Sequence, residues 1–107
     1  MKKAKRERLE SAGWRVGSAK EFLGLSDVES AVVEVRVALA RALRRQRMMR
    51  RMSQAALASE LGSSQSRVAK MESADPSVSV DLLLRSLFAL GSTPAQVGKA
   101  IANSHAA

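Results

Sequence analysis

From Val28 the apolar residues Val32, Val35, Leu39 and Leu43 follow at steps of four, three, four and four. This is one stripe of a 3.6-residue period. A second stripe, Val33, Val37 and Ala40, lies to one side of it, so a helix with this pattern must be covered on more than one face. Ser26-Asp27-Val28-Glu29 matches a capping box, in which the hydroxyl accepts from the third helical N–H and the glutamate reaches back. The pattern turns basic at Arg41 and is predicted to stay helical until about Met52. That gives about 23 residues and roughly 35 Å at 1.5 Å per residue.

The rest of the chain also reads as helix. β-branched residues do not fall in period-two runs, and there are only 2 prolines. Ser18-Ala19-Lys20-Glu21 matches a second capping box and predicts a short helix over about 18–24. Ser53 is a candidate N-cap for a helix carrying Leu57 and Leu61, which Gly62 ends by taking the left-handed conformation cheaply. A further helix is predicted to start after Gly62 and run to about Ser73. Asp75-Pro76 breaks the chain, because the residue before proline is pushed out of the α region. Ser79 caps a helix with Val80, Leu83, Leu84 and Leu87 on its inner face, and Gly91 stops it. Thr93-Pro94, an N-cap followed by proline at the first helical position, opens a last helix with Val97 and Ile101. The expected fold class is all-α.

A chain of 107 residues can bury one core without staples. It holds no cysteine, which excludes disulfides and thiolate metal sites. MKKAKRERLE has a basic region with no apolar segment behind it, so it reads as a tail and not as a signal peptide. With no long apolar run either, a cytoplasmic protein without membrane association is expected. The formal charge is +8, and residues 1–52 hold 14 Lys and Arg against 6 Asp and Glu, while residues 53–107 hold 4 against 4. Excess on one side predicts a polyanionic partner, with nucleic acid ahead of membrane because no large apolar face accompanies the charge.

The helix after Gly62 reads GSSQSRVAKME and opens on small polar residues. At 100° per residue, Gln65, Ser66, Ala69, Lys70 and Ser73 fall within about 140° of one another, while Ser64, Val68 and Met71 gather on the other side. A helix facing only water more often carries long Glu and Lys, whose helix propensity exceeds that of Ser. Short donors and acceptors suit close approach to a DNA major groove, where Gln pairs with adenine, Lys with guanine and Ser with either. Three serines at a helix start also fit ordinary capping.

Counting Gln54 as the first position of a twenty-residue unit, Leu57 is fourth, Ala58 fifth, Leu61 eighth, Gly62 ninth, Val68 fifteenth and Met71 eighteenth. This pattern resembles the helix-turn-helix of the phage-repressor-like XRE family. The small Ala58 lets two helices cross closely, Gly62 makes the turn, and the large apolar residues lock the pair onto the domain. The resemblance covers about residues 37–103 and implies a lambda-repressor-like five-helix DNA-binding domain with an extended first helix and a short N-terminal extension. The implied division is a basic tail and extension over 1–28 and a helix-turn-helix domain over 29–107, with the helix-turn-helix itself at 53–73. Residue by residue, the resemblance assigns Gln65, Ser66 and Lys70 to base edges. It assigns Gln54, Ser64, Arg67 and Ser73 to the DNA backbone and pairs Arg47 with Glu72. A glutamate in the last turn of a helix opposes the macrodipole and needs a cationic neighbour, which supports that pair independently. Where the family commonly has glycine, at the end of the first helix and after the recognition helix, this chain has Arg51 and Ala74. Differently shaped turns are expected at both.

RALRRQRMMRRM, residues 41–52, has three readings: a membrane or calmodulin-like partner helix, a solvated face, or phosphate contacts flanking the recognition helix. The arginines are spread around the helix axis, which disfavours membrane. Ahead of the domain lie Trp14, Val16 and Phe22, candidates either for packing on Val33 and Val37 or for binding a partner. The leader GWRVGSAKEFLGLS followed by an XRE domain resembles HigA-type antitoxins. That resemblance implies a homodimer that represses its own operon at a palindromic operator in double-stranded DNA and binds a RelE-type ribonuclease toxin. A stand-alone XRE-family or phage-type regulator without a toxin is the alternative. Val97 and Ile101 are the expected dimer contacts. No cofactor or metal is expected, nor enzyme activity: His105 is the only histidine and no catalytic grouping of acids is visible.

Overall fold

The computed structural model describes residues 26–104. The expected helix at 18–24, and Trp14, Val16 and Phe22 with it, lie outside the described residues. Among those described, five helices and no strand form an all-α domain: α1 (Asp27–Met49), α2 (Gln54–Leu61), α3 (Gln65–Glu72), α4 (Val80–Ala89) and α5 (Pro94–Asn103). α1 is the spine, packed against α3, α4 and α5, while α2 packs on α3.

Each helix begins where a hydroxyl can take an otherwise orphaned N–H. Ser26, Ser53, Ser64, Ser79 and Thr93 are the N-caps, each accepting from the backbone three residues on. Thr93 forms a complete capping box with Gln96, and Pro94 follows at the first helical position. At Ser26 only half of the expected box forms, because the Glu29 carboxylate accepts from the Ser26 hydroxyl at 2.9 Å.

Four helices end in the same way. After α2, Gly62 takes φ 67° and the N–H groups of Gly62 and Ser63 return to the carbonyls of Ser59 and Ala58. After α4, Gly91 takes φ 96° and bonds of the same kind reach Phe88 and Leu87. These are Schellman ends, which need one left-handed residue. The turns after α1 and α3 have the same shape, with Arg51 at φ 54° and Ala74 at φ 58° in the place of glycine. The expectation that these two turns would differ in shape is therefore corrected. α1 stops at Met49 and not near Met52 because Arg51 turns left-handed, with its N–H on the Met48 carbonyl and that of Met52 on the Arg47 carbonyl.

The core is built from the C-terminal half of α1 and the inner faces of the other helices. Leu39, Leu43, Leu57, Val68 and Leu83 have no exposed surface, and Met71 and Leu87 have 1% each. Complete burial of a side chain of this size contributes about 1.5–3 kcal/mol. Val97 is in this core with 6% exposure and Ile101 packs at its edge. Val97 is thus corrected from a dimer contact to a core residue that α1 and α4 already cover; only the outer edge of Ile101 is left for a partner. The loop after α3 is fixed at Asp75, whose Oδ1 accepts the Ser77 hydroxyl at 2.6 Å and the Ser77 N–H at 2.9 Å. Those two donors hold the Asp75 carboxyl below its usual range.

Candidate nucleic-acid interface

α3 starts at Gln65, so Ser63 and Ser64 precede the helix that was expected to include them. Ser64 is its N-cap, accepting from the Arg67 N–H at 3.2 Å and lying 3.2 Å from the Ser66 hydroxyl. Val68 and Met71 point into the core, while Gln65, Ser66, Arg67, Lys70 and Ser73 are exposed. The side chains of Gln65, Arg67 and Lys70 make no hydrogen bond to any described residue. Ser73 is the C-cap, and its hydroxyl donates to the Lys70 carbonyl at 3.1 Å. Gln65, Ser66, Lys70 and Ser73 therefore share one open face, with Arg67 at its flank.

One carboxylate fixes the C-terminal end of α3 to the rest of the domain. Glu72 accepts from Arg47 Nε at 2.6 Å and from the second terminal nitrogen of the same guanidinium at 3.0 Å. The third nitrogen donates to the Met52 carbonyl at 2.9 Å, in the turn between α1 and α2. Paired to Glu72 in this way, the Arg47 guanidinium is held even above its usual high pKa. The Gln54 amide also donates to Glu72, at 3.3 Å, so the residue expected on a phosphate is also part of this internal cluster. Arg44, exposed on α1, borders the hollow formed by Arg47, Gln54, Ala69, Glu72 and Ser73. It adds a cation with no partner among the described residues beside the C-terminal end of α3.

Other arginines act within the fold. Arg50 donates to the Leu90 carbonyl at the end of α4 and lies 3.6 Å from Glu60. Arg36 donates to the Val78 carbonyl at 3.2 Å, fastening the α3–α4 loop to α1. Neither contact has a signal in the sequence, since both partners are backbone carbonyls about forty residues away. Among the described residues no helix is long and apolar enough to cross a membrane.

A helix capped at Ser53, turned at Gly62 and followed by a second helix whose polar face no described residue covers is the geometry of a DNA-binding helix-turn-helix. A family model described as a helix-turn-helix domain matches residues 38–100. The chain belongs to that family of DNA-binding domains. No curated protein and no solved structure matches it. The matched stretch begins within α1 and ends within α5, so the whole core and the open face of α3 fall inside it.

Proposed function

We propose that this helix-turn-helix protein is a sequence-specific transcriptional repressor whose α3 reads bases in the major groove through Gln65, Ser66 and Lys70. One observation carries the reading. α3 is anchored by Val68 and Met71, at 0% and 1% exposure, while Gln65 and Lys70 stand exposed with no hydrogen bond to other described residues. Ser64, Arg67 and Ser73 flank that face and serve the DNA backbone. Gln54 reaches a phosphate with the part of its amide not held by Glu72, and Arg44 joins this set. A single helix contacts only a few base pairs, so a two-fold dimer would place two copies of α3 about 34 Å apart on a palindromic operator. Residues 29–107 form the binding domain and residues 1–28 its leader.

The finer reading is an autoregulating HigA-like antitoxin of the XRE family. It rests on the leader GWRVGSAKEFLGLS, with Trp14, Val16 and Phe22 as contacts to a RelE-type toxin. Co-expression with the product of the neighbouring gene tests it, and failure of the two to co-purify removes it. The repressor reading is tested by titrating DNA from upstream of the gene at several salt concentrations. A Kd no tighter than that for random DNA would sink it. Gln65→Ala and Lys70→Ala should each lose about 1–3 kcal/mol on the cognate site and little on random DNA. Equal losses on both would place these residues on phosphates only.

A further inference from the structure

The basic stretch of α1 divides once its partners are assigned. Arg47 is taken up by Glu72 and the Met52 carbonyl, Arg50 by the Leu90 carbonyl and Glu60, and Arg44 stands beside α3. Arg51 lies past the helix in the turn, and on α1 itself Arg41 and Arg45 remain. Both are exposed, and neither has a hydrogen-bonded or ion-paired partner among the described residues. They are four residues apart on one helix, where like charges weaken it, so folding supplies no reason for them. Arg45 lies about 160° around α1 from Arg47, on the flank away from α3.

On that flank α1 and α5 enclose a groove made of two hollows that share Arg45 and Ala100. Its floor is small, with the buried Ala38 and Ala42 from α1 and the half-buried Ala100 from α5, and Gln96, Asn103 and Ser104 line its α5 side. Arg41 and Arg45 form one wall, and Met49, 79% exposed, continues it one turn further on. The hydrogen bond from the Gln46 amide to the Ser92 hydroxyl, at 3.3 Å, crosses the far end. Among the described residues no acid lines the groove, α5 carries only the cation Lys99, and the acids of α1, Asp27, Glu29 and Glu34, all precede it.

We propose that the α1–α5 groove docks an acidic amphipathic segment of a partner protein, its carboxylates on Arg41 and Arg45 and its apolar residues on the alanine floor and Met49. Alanines let a helix approach closely, and an exposed methionine adapts to varied apolar shapes. A DNA backbone matches the arginines but gains nothing from an apolar floor. The helix proposed to hold the duplex, α3, packs on the other flank of α1, at Arg47.

The test uses the full chain, labelled with nitrogen-15, and a capped helical peptide about four turns long with glutamates four residues apart on one side and leucine and alanine on the other. The amides of Ala38, Ala42, Arg45 and Ala100 should shift on titration. Arg41→Glu with Arg45→Glu should weaken binding about tenfold or more with the thermal midpoint unchanged. A peptide with glutamine in place of glutamate should not bind. Equal binding of that neutral peptide, or no shift in the groove, overturns the proposal. So does movement of the same amides with protein concentration alone, which would give the groove to a second copy of the chain. The remaining contrary outcome is that Arg41→Gln with Arg45→Gln flattens the salt dependence of DNA binding by about two units of slope, which would give both arginines to phosphates.

Discussion

The two halves of α1 carry the same apolar rhythm and have opposite fates. In the C-terminal half, Leu39 and Leu43 have no exposed surface and Arg47 holds Glu72, and Arg50, just past the helix, caps α4. In the N-terminal half, Val28 is 67% exposed and Val32 42%. The stripe is continuous, but among the described residues α3, α4 and α5 cover it only from Val35 onward. A helical period therefore states which residues face the same way and not whether anything faces them. Burial is decided by the length of the neighbouring helices, and α4 and α5, at 10 residues each, are less than half as long as the 23 of α1.

The comparison is tested first by truncation in each half. Leu43→Ala should cost about 2–5 kcal/mol in urea unfolding, because the site cannot collapse around a central cavity. A loss below 1 kcal/mol would contradict the packing described for the second half. Next, Glu72→Ala should cost about 1–3 kcal/mol by leaving the largely buried Arg47 guanidinium unpaired, discounted from a fully buried pair because Arg47 keeps 15% exposure. At the junction after the helix, Arg51→Gly should stabilise by up to about 1 kcal/mol, since it relieves a left-handed φ at some cost in unfolded-chain entropy. Gly62→Ala should move the other way by about 1 kcal/mol. A Cβ there meets nothing within 4 Å, so the loss is purely conformational. Finally, Val28→Ala should change the unfolding free energy by less than about 0.5 kcal/mol. A larger effect would mean that the first half is covered after all.

Much of this architecture is legible from local chemistry. A hydroxyl three residues ahead of a free N–H announces a cap, as at Ser53, Ser79 and Thr93, and Gly62 and Gly91 announce left-handed ends. Arg51 and Ala74 adopt that conformation without any such signal, because the demand comes from the hydrogen bonds that close the helix and not from the residue that meets it. The polar face of α3 could be read from its spacing, and so could its need for a cation near Glu72. Val97 could not be placed. An apolar residue on an amphipathic helix looks the same whether it is covered by its own chain or by another, and here its own core covers it. The separation of Arg47 and Arg50 from Arg41 and Arg45 was equally hidden, since it depends on which carbonyls and carboxylates the fold brings near each guanidinium.

The clamp on Glu72 has a consequence for redesign. α3 is held at one end by the turn at Gly62, at the other by Arg47 and Gln54, and along its inner side by Val68 and Met71. None of these supports involves the side chains of Gln65 or Lys70, and Ser66 touches only the Ser64 cap. The outward face is in effect an interchangeable cassette. New residues at those three positions can be screened for altered recognition while the thermal midpoint stays where it is, so the vocabulary of this surface can change without renegotiating the fold beneath it.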